Sequence, residues 1–233
     1  MIVHVAFTPG EELSAPLGIV VDVLRATSTI VQALDAGYRR VLCCAEVEEA
    51  RELAGREGDA VLAGERRAVR IPGFDLGNSP REVAGPPAAG TLVLTTTNGT
   101  RLLVAAEARC ERVLVGSLLN LRALVEAARV DPGGEVAILC AGVGGEAVLD
   151  DVYCAGRIAE ALGGEPADSA TVAIRLARSF AGPEEGLGAG RSARNLRAAG
   201  LEEDIAWCAR ESILPTVPRP SGRVGRAVEV TGR

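Results

Sequence analysis

Short runs of aliphatic, often β-branched residues alternate with helix-spaced segments along almost the whole chain. This alternation constrains the fold more than any other feature. The strand candidates are Ile2–Ala6, Gly18–Val23, Arg39–Cys43, Ala60–Ala63, Thr91–Thr95, Arg112–Val115 and Val136–Cys140. Helical spacing is found at Ser28–Ala36, Val47–Arg56, Pro80–Val83, Thr100–Ala108, Leu121–Arg129, Val148–Leu162, Ser169–Phe180 and Ser192–Ala199. Strands that alternate with helices predict an α/β fold, with a mostly parallel or mixed sheet covered by helices on both faces. With 48% hydrophobic but only 3% aromatic residues, the core must be built from Ala, Val, Leu and Ile, as helices packed on parallel strands require.

The 233 residues suffice for one large core or two small ones. The expectation is a single unit over 1–233. Val20–Ile30 and Val93–Leu103 share a plan of strand, polar loop with arginine, and helix, which suggests two similar halves at about 1–116 and 117–233. Gly85-Pro86-Pro87 and Asp131-Pro132-Gly133-Gly134 read as turns, Pro183 to Gly190 as a mobile loop, and Ala227–Val230 as a late strand.

A net charge of −6 argues against nucleic acid or an anionic membrane as partner. All 25 basic residues are arginine, so an anion site must use guanidinium forks, hydroxyls and backbone amides. Six cysteines without a CxxC pair and a single histidine, His4, argue against zinc. No basic-then-apolar leader opens the chain, and no apolar run reaches membrane-spanning length. The expectation is a soluble, cytoplasmic protein.

Chemistry-bearing residues gather where strand candidates end. After Val20-Val21 come Asp22, Arg25 and the hydroxyls Thr27, Ser28 and Thr29, then a helix stopped by Gly37. Open α/β sheets bind ligands at the carboxyl ends of their strands, although Thr27 or Ser28 would equally serve as a helix cap. After Thr91–Leu94 come Thr95, Thr96, Thr97, Asn98, Gly99, Thr100 and Arg101. Several hydroxyls before an apolar helix suit a phosphate, because helix N-termini carry unpaired amides and partial positive charge. An Asn-Gly turn with a cap is the structural alternative. Asn78-Ser79-Pro80-Arg81-Glu82 contains a capping box, with Asn78 and Arg81 unexplained by it. Glu65-Arg66 repeats the strand-end pairing of acid and arginine. Asp150-Asp151 opens a helix after the glycine-rich Gly142-Val143-Gly144-Gly145; the macrodipole accounts for acids there. Asp151, however, also points along an apolar face, where a carboxylate needs a partner. The glycine run lacks the spacing of a dinucleotide loop.

Taken together, Val21-Asp22-Val23-Leu24-Arg25-Ala26-Thr27-Ser28-Thr29, Gly77-Asn78-Ser79-Pro80 and Thr95-Thr96-Thr97-Asn98-Gly99-Thr100 resemble the 2-phosphosulfolactate phosphatase family. So do Cys140-Ala141-Gly142, Asp150-Asp151 and Cys154-Ala155-Gly156, with Gly200, Asp204, Cys208 and Pro215 following more loosely. The resemblance implies a three-layer α/β/α fold and a magnesium-dependent hydrolysis of 2-phospho-3-sulfolactate or a related 2-phospho acid, a step towards coenzyme M. It implies Asp22, Asp151 and Arg25 in catalysis, and Mg²⁺ held among Asp22, Glu65, Asp150 and Asp151. The small, phosphorylated and multiply anionic substrate would lie among Thr27–Thr29, Thr95–Thr100, Asn78, Ser79, Arg66, Arg81 and Arg101. Asp22 is either metal ligand or nucleophile on this reading. A nucleotide-dependent α/β enzyme and a non-catalytic anion-binding protein are the alternatives. Oligomeric state is not readable from the residues, although rigid α/β units of this size often pair as homodimers.

Overall fold

A strand that is apolar at successive positions needs cover on both faces, and the chain meets this need in two separate sheets. The computed structural model describes residues 1–130 and 133–232. In chain order its strands are β1 (Ile2–Ala6), β2 (Leu17–Val21), β3 (Arg40–Cys44), β4 (Ala60–Arg66), β5 (Val69–Arg70), β6 (Thr91–Thr95), β7 (Arg112–Gly116), β8 (Glu135–Cys140), β9 (Glu165–Pro166), β10 (Arg219–Val224) and β11 (Ala227–Thr231). Its helices are α1 (Ala26–Ala36), α2 (Val47–Glu57), α3 (Gly99–Arg109), α4 (Leu121–Val130), α5 (Leu149–Leu162), α6 (Asp168–Arg178), α7 (Pro183–Gly188), α8 (Arg191–Ala198) and α9 (Glu203–Cys208).

The first sheet is parallel throughout, in the order β7-β2-β8-β1-β9. The second has the order β10-β11-β3-β6-β4-β5, with a parallel centre, β3-β6-β4, and antiparallel edges. The α/β class therefore stands, with two sheets in place of one. Each sheet draws strands from both sides of residue 116.

Side-chain alternation explains how the layers stack. On the first sheet Leu17, Ile19, Val21, Val136 and Ile138 face one core, shared with Leu124 of α4, Ile158 of α5 and Ala173 of α6. The intervening Val20, Ala137 and Leu139 face a second core. That core also holds Ile30 and Ala33 of α1, Leu103 and Ala106 of α3, and Val41, Cys43, Leu92 and Leu94 from the second sheet. The opposite face of the second sheet, Leu42, Cys44 and Val93, packs on Ala50 and Leu53 of α2. Each sheet is thus the centre of an α/β/α sandwich, and α1 and α3 form a helical layer between the two sheets.

Three local expectations change. Pro80–Val83 forms turns instead of a helix, although the capping-box bonds are made: Glu82 accepts the amides of Gly77 (3.0 Å) and Ser79 (3.4 Å). Four residues are too few to offset helix nucleation. Pro183 to Gly190, expected as a mobile loop, contains α7, with proline in its first turn and Leu187 buried. The tail carries β10 as well as the expected β11, its Pro220 standing on an edge strand where a missing amide is tolerated. Of the turn predicted at Asp131-Pro132-Gly133-Gly134, Asp131 and Pro132 lie outside the described residues, and both glycines take positive φ. All six cysteines are buried and unbridged. No helix among the described residues is long and apolar enough to cross a membrane.

Candidate active site

The carboxyl ends of β2, β7 and β8 are in register, with Val21 beside Gly116 and Cys140. Those of β4, β6 and β3 are likewise aligned, with Thr95 beside Gly64 and Cys44. Asp22 continues the face of Val20, and Glu65 continues the face of Val61 and Ala63. Both of these faces enclose α1 and α3, so period-two alternation delivers one acid from each sheet to the end of the shared layer.

Asp22 is set by the start of α1. Its Oδ1 accepts the Ala26 amide (3.3 Å), its carbonyl accepts the Thr27 amide (2.9 Å), and its own amide donates to Thr27 Oγ1 (3.2 Å). Oδ2 accepts no hydrogen bond from the described residues. This oxygen lies against Gly99: a Cβ there would come within 2.6 Å of Asp22 Oδ2 and 2.6 Å of the Ala26 Cβ. Only glycine lets α3 start this close to the carboxylate. The Leu24–Arg25 peptide that follows is cis.

Glu65 joins two loops. Its Oε1 accepts the amide (2.8 Å) and hydroxyl (2.9 Å) of Thr97, and Oε2 accepts the Ala68 amide (2.8 Å). Ala68 belongs to the two-residue turn Arg67-Ala68 that connects β4 to β5, with Arg66 paired to Val69. Both turn residues have positive φ (55° and 67°), which costs about 1 kcal/mol each for a residue with a Cβ. Arg25 holds the same turn from beneath, donating from Nη2 to the Ala68 carbonyl (3.2 Å). The other end of its guanidinium is paired with Asp204 of α9 (2.7 Å), and Asp204 also accepts from Ser79 Oγ (2.6 Å). Arg25, Ser79 and Asp204 are all buried. Trp207 of α9 donates to Gln32 (3.1 Å) and Thr216 to Asp35 (2.9 Å), tying this late segment to α1.

Between these elements lies a cavity of about 460 Å³. Of the residues expected at a site, Asp22, Arg25, Glu65, Asn78, Thr97 and Asn98 line it. So do Arg67, Ser192 and Asn195, which carry no motif, and an apolar rim of Leu24, Val69 and Leu196. Asn78 Oδ1 is buried and has no hydrogen-bond partner among the described residues. Asp150, at the start of α5, has a buried Oδ1 that is likewise without a partner among the described residues, and Ser192 of α8 helps keep its carboxyl ionised.

The acids repel one another in a medium that solvates them poorly. Burial pushes the Asp22 carboxyl up to about 7, the charges of Glu65 and Asp150 add to the push, and the Ala26 amide and Arg25 oppose it. Burial raises Asp150 to about 6, against the pull of Ser192 and Arg191. Asp151 is raised well above the usual carboxylate range by burial and by its acidic neighbours Asp150 and Asp22. Both of its oxygens are engaged, Oδ1 by the Val23 amide (2.9 Å) and Oδ2 by the Gly142 amide (3.0 Å). Asp151 therefore clamps the segments leaving β2 and β8.

Other expected site residues serve the protein's own backbone. Ser28 Oγ donates to the Val23 carbonyl (2.8 Å) and Thr29 Oγ1 to the Asn78 carbonyl (3.1 Å). Thr96 and Thr100 bond each other reciprocally at the start of α3, and Thr95 accepts from Arg66 Nη2 (3.1 Å). Three of the arginines do not line the cavity. Arg66 is held by Thr95 and the Glu65 carbonyl, Arg81 pairs with Glu203, and Arg101 pairs with Glu46 on the surface. The Gly142–Gly145 run is closed into a tight turn by reciprocal backbone bonds between Val143 and Glu146, and the Gly142 amide is taken by Asp151.

A cation would suit this acid set, which offers oxygen donors only. Among the described residues no three His, Cys, Asp or Glu side chains stand close enough to form a complete ligand group. A hard cation that keeps several waters needs only one or two carboxylates. Asp22 Oδ2, on the cavity-lining Asp22, and Asp150 Oδ1, on an acid outside that lining, are the oxygens without a partner among the described residues.

Comparison with known proteins places this geometry in context. The profile described as 2-phosphosulpholactate phosphatase matches residues 4–222. A Thermus thermophilus protein named "Probable 2-phosphosulfolactate phosphatase" is 43% identical over 98% of both chains. A Methanothermobacter thermautotrophicus protein named "2-phosphosulfolactate phosphatase" is 40% identical, over 87% of this chain and 85% of its own. A Deinococcus radiodurans protein with the former name is 40% identical over 87% and 86%.

Proposed function

The chain belongs to the 2-phosphosulpholactate phosphatase family, and from that premise we propose that it hydrolyses 2-phospho-3-sulfolactate, or a related 2-phospho acid, to the 2-hydroxy acid and inorganic phosphate. The observation that carries the reading is the meeting of Asp22 and Glu65, one from each sheet, with Asn78, Thr97 and Asn98 on one cavity. In the net reaction the ester P–O bond breaks, water supplies the new oxygen on phosphorus, and a proton passes to the departing alkoxide. Asp22 Oδ2 is the group assigned to the reacting centre, because Asp22 lines the cavity and this oxygen accepts no hydrogen bond among the described residues. The side-chain amides of Asn78 and Asn98 would orient the phosphoryl oxygens, while Thr97 holds Glu65 in place; positioning of this kind is the main protein contribution to phosphoryl transfer.

The cation in this reading is Mg²⁺, held by Asp22 and Asp150, with Glu65 and Asp151 setting the surrounding charge. Bound there, Mg²⁺ would neutralise the acids and polarise the phosphoryl group. Phosphate release from 2-phospho-3-sulfolactate, 2-phospholactate, 2-phosphoglycolate and ATP, with Mg²⁺ or with EDTA, tests the proposal. Release from the 2-phospho acids, at least tenfold lower in EDTA, and none from ATP is the expected result. No release from any 2-phospho acid overturns the assignment.

The metal has a test that needs no turnover. An acid raised from 3.8 to about 7 by folding stabilises the fold below the lower value and loses that contribution as pH climbs through the higher one. The cation-free protein should therefore lose on the order of 2 kcal/mol between pH 5.5 and pH 8. Mg²⁺ should raise Tm by several degrees at pH 8 and by much less at pH 5.5, where protons already occupy the carboxylates. Equal shifts at the two pH values would remove Mg²⁺ from this acid set.

A further inference from the structure

We propose that Arg67 binds a non-transferred acid group of the substrate, its carboxylate or its sulfonate, at the mouth of the cavity; this rests on the phosphatase reading above. The cavity has two lining guanidinium groups, Arg25 and Arg67. Arg25 is buried and its charge is matched by Asp204 at 2.7 Å. Arg67 is exposed and makes no ion pair or hydrogen bond among the described residues. A substrate bearing a phosphate and two further acids needs a counter-charge that the protein has not already used, and Arg67 supplies one.

Its position separates the two ends of the site. Asp22 and Glu65 are buried at the strand ends, so the phosphoryl group and its cation belong at the floor. Arg67 sits at the tip of the β4–β5 turn, beside the exposed Val69, and Asn195 of α8, also exposed, lines the same cavity. The turn is not free to swing. Glu65 Oε2 accepts the Ala68 amide and Arg25 donates to the Ala68 carbonyl. The two side chains that hold the tip therefore line the floor as well, and the backbone that carries Arg67 is fixed above it. A planar fork matches a carboxylate or a sulfonate through two parallel hydrogen bonds.

Arg67→Gln should raise KM for 2-phospho-3-sulfolactate about 10- to 100-fold with kcat changed less than about threefold, since the contact is made equally in the bound substrate and the transition state. The arms of the test are 2-phospholactate, which has the carboxylate alone, the phosphate ester of isethionate, which has the sulfonate alone, and isopropyl phosphate, which has neither. A KM effect confined to one of the first two identifies the group Arg67 holds, and isopropyl phosphate should show no change. The same proportional loss on isopropyl phosphate, or no loss on any ester, overturns the proposal. Calorimetric binding of sulfolactate to the unmodified and Arg67→Gln proteins gives a readout independent of turnover. At least tenfold weaker binding by the variant supports the assignment; equal binding, or no binding by either, overturns it. Failure of the phosphatase reading shows separately, as absence of phosphate release from the unmodified enzyme.

Discussion

Asp22→Asn should lower kcat/KM for a 2-phospho acid by at least about 10³, equivalent to roughly 4 kcal/mol of transition-state stabilisation, while the cation-free protein keeps or gains thermal stability. The two effects have one origin. Burial, and after it the negative charges of Glu65 and Asp150, pushes the Asp22 carboxyl up to about 7. An amide of the same shape still accepts the Ala26 N–H and removes one of the repelling charges. It cannot take the part of an anionic ligand at a cation or phosphorus. The checks are steady-state phosphate release and a thermal melt in EDTA. Near-normal turnover would take Asp22 out of the reaction centre. A Tm lowered by several degrees would make its role one of folding.

Asp204→Ala should have the largest effect on stability, about 3–5 kcal/mol, which for a chain of this size lowers Tm by roughly 10 °C. The substitution strands the Arg25 guanidinium in a dry environment, only 3% exposed, and deprives Ser79 of its acceptor. The double variant Arg25→Met/Asp204→Leu should recover most of the loss, because both buried charges leave together. It should not recover activity, since the Arg67-Ala68 turn loses the hydrogen bond from Arg25 to the Ala68 carbonyl. Chemical denaturation of the three proteins decides the point. A single-variant loss below about 1 kcal/mol would mean that the pair is solvated in solution.

How much of this was legible in the residues follows from how local each decision is. Asp22 and Glu65 could be found because an apolar run that ends in an acid marks a strand end, and strand ends are where parallel sheets place ligands. The division into two sheets could not be seen, because Val20 and Leu92 look alike as aliphatic strand residues and nothing in either names its neighbours. The hydroxyls of Ser28, Thr29, Thr96 and Thr100 read as ligand donors or as local structure from sequence, and the structure gives them to the protein's own backbone without making them helix caps. Arg81 and Arg101 found acidic partners far along the chain, Glu203 and Glu46, a choice invisible to any local pattern. Arg67 was missed for a related reason. A two-residue hairpin turn normally announces itself with Asn-Gly or Asp-Gly, and here the positions hold Arg67-Ala68, secured by Glu65 and Arg25 instead of by intrinsic preference. Ser192 and Asn195 sit on a helix whose approach to the cavity depends on α7 folding where a loop was expected.

The helical layer between the sheets has one more implication. Asp22 arrives on one sheet and Glu65 on the other, so the layer of α1 and α3 between the sheets sets how the two acids are held relative to each other. Small residues such as Ala33 and Ala106, wedged in that layer and shielded from solvent, act as shims between two slabs. A single added methylene there would change the spacing of acids it never touches, and an ångström at a reacting centre is worth about 10² in rate. The calibration of this site is thus carried by its alanines.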